Sequence, residues 1–79
     1  MPYFEIIWDG ENEEHIAQHG VTPDEFEEVV MNPLKSGRDT RHGADRHYAI
    51  GETAGGKRLR CVYEDIDGIT IYPITAYEV

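Results

Sequence analysis

Arg41, His42, Arg46, His47, Lys57 and Arg58 gather two imidazoles and four cations into one stretch of the chain. Histidine titrates near neutral pH and can take or give a proton, while guanidinium and ammonium groups hold a phosphate and the charge it gains under attack. Metal-free cleavage of an RNA phosphodiester needs those parts: a group to remove the 2′-hydroxyl proton, cations around the crowded phosphorane, and an acid for the departing 5′-oxygen. Arg46 and His47 are adjacent, so on a regular strand they point to opposite faces and do not readily serve one site. The plainer reading of the same residues is a solvated basic rim.

Other constellations offer less. His15 and His19 stand four apart, a spacing at which two imidazoles on one helix can meet a metal ion, but Ile16-Ala17-Gln18 lies between them and no third ligand is indicated. A helix-end role for His19 fits the dipole better, and no metal or other cofactor is expected. The stretch 51–58 carries Gly55-Gly56-Lys57, yet its spacing is not that of a phosphate loop, no Ser or Thr follows Lys57, and it sits between two expected strands. Cys61 is the only cysteine. It fits a buried thiol in a core strand and a reducing cytoplasm, and the amino terminus reads as neither a signal peptide nor a membrane span.

The elements that must position these groups fit one domain over residues 1–79. The net charge of −9 argues against indiscriminate binding to phosphates or anionic membranes, but the charge is sorted. Residues 1–34 hold nine acidic side chains and no Lys or Arg, and all seven Lys and Arg lie in 35–60. Any phosphate contact must therefore use that middle segment.

Residues 3–8 are aromatic and β-branched and predict a strand ended by Asp9-Gly10. A helix over 11–19 follows, with Asp9 as its cap and Gly20 as its stop. Thr22-Pro23-Asp24-Glu25 is a capping box that opens a second helix, whose buried stripe is Phe26, Val29 and Val30 and whose end falls before Asn32-Pro33. Glu27 and Glu28 are expected to face water. The stretch 34–45 is polar, with two glycines, and predicts an exposed loop with at most a short edge strand around 38–41. Strands are predicted at 46–53, 58–65 and 69–76, joined by turns at 54–57 and 66–68. The expected whole is an α+β fold in the order β-α-α-β-β-β, an antiparallel sheet with two helices packed on one face.

Several of these features recur together: Trp8-Asp9, His19-Gly20-Val21-Thr22 before the acidic second helix, Asn32-Pro33, Arg46 five before Gly51, Gly56-Lys57-Arg58-Leu59 leading into a strand, and 69–76 as the last strand. In that order, from Phe4 to Ala76, the chain resembles the BrnT-type ribonuclease toxins of bacterial type II toxin–antitoxin modules, which are grouped with the RelE-like toxins. The resemblance implies a small α+β enzyme that cuts RNA without a metal and is neutralised by a partner antitoxin. Arg46 and Lys57 then stand where the family keeps its strand arginine and its basic turn residue. From their own chemistry, His47 is the candidate proton carrier and Arg41, His42, Arg58 and Tyr77 the candidate substrate contacts. The chain departs from the family at His15, where Asn is favoured, at Gln18 in place of Lys, and at Thr75-Ala76-Tyr77-Glu78, where the toxins read Ser-Ala-Arg. Those departures support an alternative, a toxin-fold relative without catalysis that serves as a protein-binding module.

Overall fold

A computed structural model describes residues 5–39 and 46–79. Its elements are β1 (Glu5–Ile6), α1 (Gly10–Ala17), α2 (Pro23–Met31), β2 (Lys35–Arg38), β3 (Arg46–Glu52), β4 (Arg58–Asp65) and β5 (Thr70–Glu78). The five strands form one sheet in the order β1-β5-β4-β3-β2. This is the expected α+β arrangement with two additions.

The first addition is the direction of β1. It pairs parallel to β5, Glu5 with Thr70 and Ile6 with Ile71, so the sheet is mixed rather than wholly antiparallel. Parallel neighbours require a long crossover, and the whole body of the chain supplies one between the first strand and the last. The second addition is β2, at the start of the stretch predicted as a loop. Lys-Ser-Gly-Arg has no strand signature; it pairs antiparallel with β3 because Gly37 lies opposite Tyr48. A Cβ on Gly37 would come within 3.1 Å of the Tyr48 ring, so glycine lets that ring lie across the edge strand.

Both helices begin with reciprocal caps. The Asp9 carboxylate accepts from the Asn12 amide N–H at 2.8 Å while Asn12 Oδ1 accepts from the Asp9 N–H at 2.9 Å. Thr22 Oγ1 and the Glu25 carboxylate exchange the same pair of bonds at 3.2 and 3.0 Å. Gly20, at φ 76°, ends α1 in the left-handed conformation that glycine adopts without steric cost, and Val21 N–H returns to Ile16 O. The two helices cover one face of the sheet. Ile16, Phe26, Val29 and Val30 pack there against Ala49, Leu59, Cys61, Ile71 and Ala76.

Burial pushes the Cys61 thiol up to about 12, so it stays protonated and inert. Three carboxylates are held below their ordinary values chiefly by backbone N–H groups: Asp9 by Asn12, Glu25 by Thr22, and Asp67 by Thr70. A depressed carboxylate contributes stability above its ordinary value, 3.8 for Asp and 4.5 for Glu, and loses it as pH falls through the folded-state value. Melting temperature is therefore expected to hold between pH 7 and about pH 5 and to fall steeply below about pH 4. Thermal melts across that range check this, and a flat profile down to pH 3 would contradict it.

Candidate functional site

One irregularity in the sheet shapes the site. The β4–β5 register shifts at Val62/Tyr63, with Val62 opposite Thr75 but Tyr63 opposite Pro73, which leaves Ile74 as the extra residue of a bulge. Proline has no N–H for the ladder and is tolerated at such a place, and bulges re-aim the side chains around them. Here Pro73 and Ile74 floor an open cleft of about 190 Å³ between α1 and β5. Its walls are Glu11, Asn12 and His15 from α1, Tyr72 from β5 and Arg46 from the start of β3.

Each wall residue is placed by a local rule. Glu11 and His15 are one helical turn apart on the same stripe of α1. Asn12 exchanges bonds with Asp9 and donates its side-chain amide to Ile7 O at 2.9 Å. Tyr72 donates its hydroxyl to the Asp9 carboxylate at 2.7 Å, and that bond raises the phenol to about 12. It therefore keeps its proton and orients the mouth of the cleft without titrating. Arg46, half-buried, has no ion pair among the described residues. The cleft thus unites a cation, an imidazole and a carboxylate.

The other residues singled out from sequence go elsewhere. His47 points to the opposite face from Arg46 and stacks on Tyr63, ring centroids 5.8 Å apart. Lys57 lies beyond the far end of β3, six or more strand positions from Arg46 or ~20 Å. Its ammonium donates to Gly20 O at 2.8 Å and to the Glu25 carboxylate at 3.2 Å, clamping the α1–α2 turn onto the hairpin. Arg58 pairs with Glu52 at 3.6 Å across the β3–β4 ladder, both exposed. Tyr77 sits further along β5, edge-on to His19 at 6.4 Å. Arg41 and His42 lie outside the described residues.

The sequence alone does not connect Glu11, His15 and Tyr72 with this site. The 11-15-19 spacing on an exposed stripe was the available signal, and it was visible only as a histidine pair. The rings of His15 and His19 do stack, at 6.0 Å. The clamp carries its own prediction: Lys57→Ala should cost about 1 kcal/mol, since the pair is partly exposed, and leave any cleavage rate within about twofold. Urea denaturation and a cleavage assay check the two halves.

Two helices on one face of a five-stranded sheet of this order make up the fold of the BrnT-type toxins, which the chain resembles. The particular structure that shows it is the ribonuclease toxin BrnT of Brucella abortus, solved at 1.1 Å: it matches with a TM-score of 0.73 and 25% identity, covering 96% of each chain. No family model matches the sequence, and no curated protein does. No helix among the described residues is long and apolar enough to cross a membrane.

Proposed function

We propose that the chain is a metal-independent endoribonuclease toxin of the BrnT kind, acting in a bacterial cytoplasm and held in check by a cognate antitoxin protein. The observation that carries this reading is the convergence of Arg46, His15 and Glu11 on one cleft. In the reaction the RNA 2′-hydroxyl loses its proton to one of the two titratable groups and its oxygen bonds to phosphorus. The bond to the 5′-oxygen breaks, and that oxygen takes a proton from the other group. The products are a 2′,3′-cyclic phosphate and a 5′-hydroxyl end, with no oxidant, reductant or co-reactant consumed. Arg46 stabilises the pentacoordinate phosphorane, whose charge exceeds that of the ground state, and this difference is what accelerates the step.

One observation favours the second reading, a non-catalytic protein-binding relative. Lys57, Arg58 and Arg60 are each engaged by a carboxylate of the same chain, which leaves fewer cations for RNA than seven basic residues suggest. Inducible expression in bacteria separates the two. Growth arrest with RNA breakdown, relieved by Arg46→Ala and by His15→Ala, is expected. Healthy growth with intact RNA under wild-type expression would overturn the enzyme reading.

A further inference from the structure

The cleft does not end at His15. Just past the end of α1, His19 stacks on His15 at 6.0 Å and meets the edge of Tyr77 at 6.4 Å. Both histidines are exposed and Tyr77 is half-exposed. Beyond Ile71 no described strand pairs with the outer edge of β5, and along that open edge the three rings line a shelf leading out of the cleft, with His15 and His19 stacked on each other and Tyr77 turned 61° to His19.

Charge limits what such a surface can hold. The chain carries −9 overall, and Arg60, the cation in register with Tyr77, is bound to Asp39 at 3.5 Å and lies over the Tyr48 ring at 4.2 Å. Lys57 and Arg58 are committed likewise. A single-stranded nucleic acid that gains little from phosphate neutralisation must gain from stacking, which needs no net charge and is open to every base. Duplex RNA hides its base faces, so the shelf suits only an unpaired nucleotide.

The geometry points to a base-stacking subsite at His15, His19 and Tyr77, which takes an unpaired RNA base adjacent to the phosphate held at Arg46. The subsite deepens the ribonuclease reading above and rests on it. Because few phosphates are neutralised, affinity has a shallow salt dependence, a slope of log K against log salt near −0.7 for each contact, or roughly −1 in all.

The test uses a single-stranded oligoribonucleotide of about ten residues, made uncleavable by 2′-deoxy substitution, with an abasic position scanned along it. Affinity is read by fluorescence anisotropy at several salt concentrations. Tyr77→Leu should weaken binding roughly tenfold, and Tyr77→Phe, which keeps the ring, less than twofold. Removing the base at one position should weaken the wild type by a similar factor and have no further effect in Tyr77→Leu. His19→Leu, at an exposed position, repeats the experiment if Tyr77→Leu folds poorly.

Losses that multiply independently at every abasic position, or a salt slope steeper than about −3, would overturn the subsite. So would a Tyr77→Leu protein that loses a protein partner while binding RNA normally. Coupled binding without cleavage would keep the subsite and remove the ribonuclease reading. Arg46-dependent cleavage without coupling would remove the subsite alone. A wild-type protein that neither binds nor cleaves single-stranded RNA removes both.

Discussion

Arg46→Ala is expected to slow RNA cleavage roughly 100- to 1,000-fold, the loss seen when one preorganised group that stabilises transition-state charge is deleted. The side chain is suited to that role because nothing in the described structure competes for it. Lys57, Arg58 and Arg60 each face a carboxylate within 4 Å, and Arg46 faces none among the described residues. Its fold contribution is correspondingly small, and the variant should melt within a few degrees of the wild type, as substitutions outside cores and ion pairs do. Arg46→Lys should fall between the two, since an ammonium keeps the charge but lacks the planar fork that grips two phosphate oxygens. Single-turnover rates with circular dichroism melts check this. A variant as inactive as expected but largely unfolded would show a structural arginine instead.

Phe26→Ala carries the largest expected effect on stability, about 3–5 kcal/mol. Phe26 is 0% exposed at the centre of the α2 stripe, and Trp8 meets it edge-to-face with centroids 5.4 Å apart. Trp8 in turn donates its indole N–H to Glu27 at 2.7 Å, so the chain between β1 and α1 is fastened to α2 through this ring pair. A chain of this size buries only about 60% of its unfolded surface and has a total stability of order 5–15 kcal/mol. The melting temperature should drop by roughly 12–40 °C, at ~4–8 °C per kcal/mol for small domains. Phe26→Leu, which nearly conserves volume, should cost less than about 1.5 kcal/mol. Urea titrations read both values, and a loss below 1 kcal/mol for the alanine variant would mean that the core is not organised around Phe26.

Local signals in the sequence proved legible where a single physical rule decides the outcome. The Thr22/Glu25 capping box, the Gly20 stop and the limits of β4 all follow from rules that act within a few residues. β2 was missed because its cause is remote: a polar tetrapeptide becomes a strand when Gly37 admits the Tyr48 ring. The direction of β1 was missed for a similar reason, since an isolated apolar run does not show which strand it will join or how. Lys57 shows how a correct motif can mislead. Glu25 is legible as a cap, but its carboxylate also accepts from Lys57, 32 residues away, a partnership that no local rule shows.

The site followed the same pattern. Of the cations that the sequence offers, Arg46 and Lys57, only Arg46 lines the cleft. Its neighbours there come from helix positions 11 and 15 and strand position 72, a set that no spacing rule connects. Only the packing of α1 along β5 and the bulge at Ile74 bring them together.

The most direct test incubates the purified protein with single-stranded RNA in excess chelator and analyses the new ends. The account predicts fragments that carry 2′,3′-cyclic phosphate and 5′-hydroxyl termini, formed by the wild type and lost together in Arg46→Ala and His15→Ala, while Lys57→Ala still cuts. Intact RNA with the wild type, or equal cutting by wild type and Arg46→Ala, would contradict it.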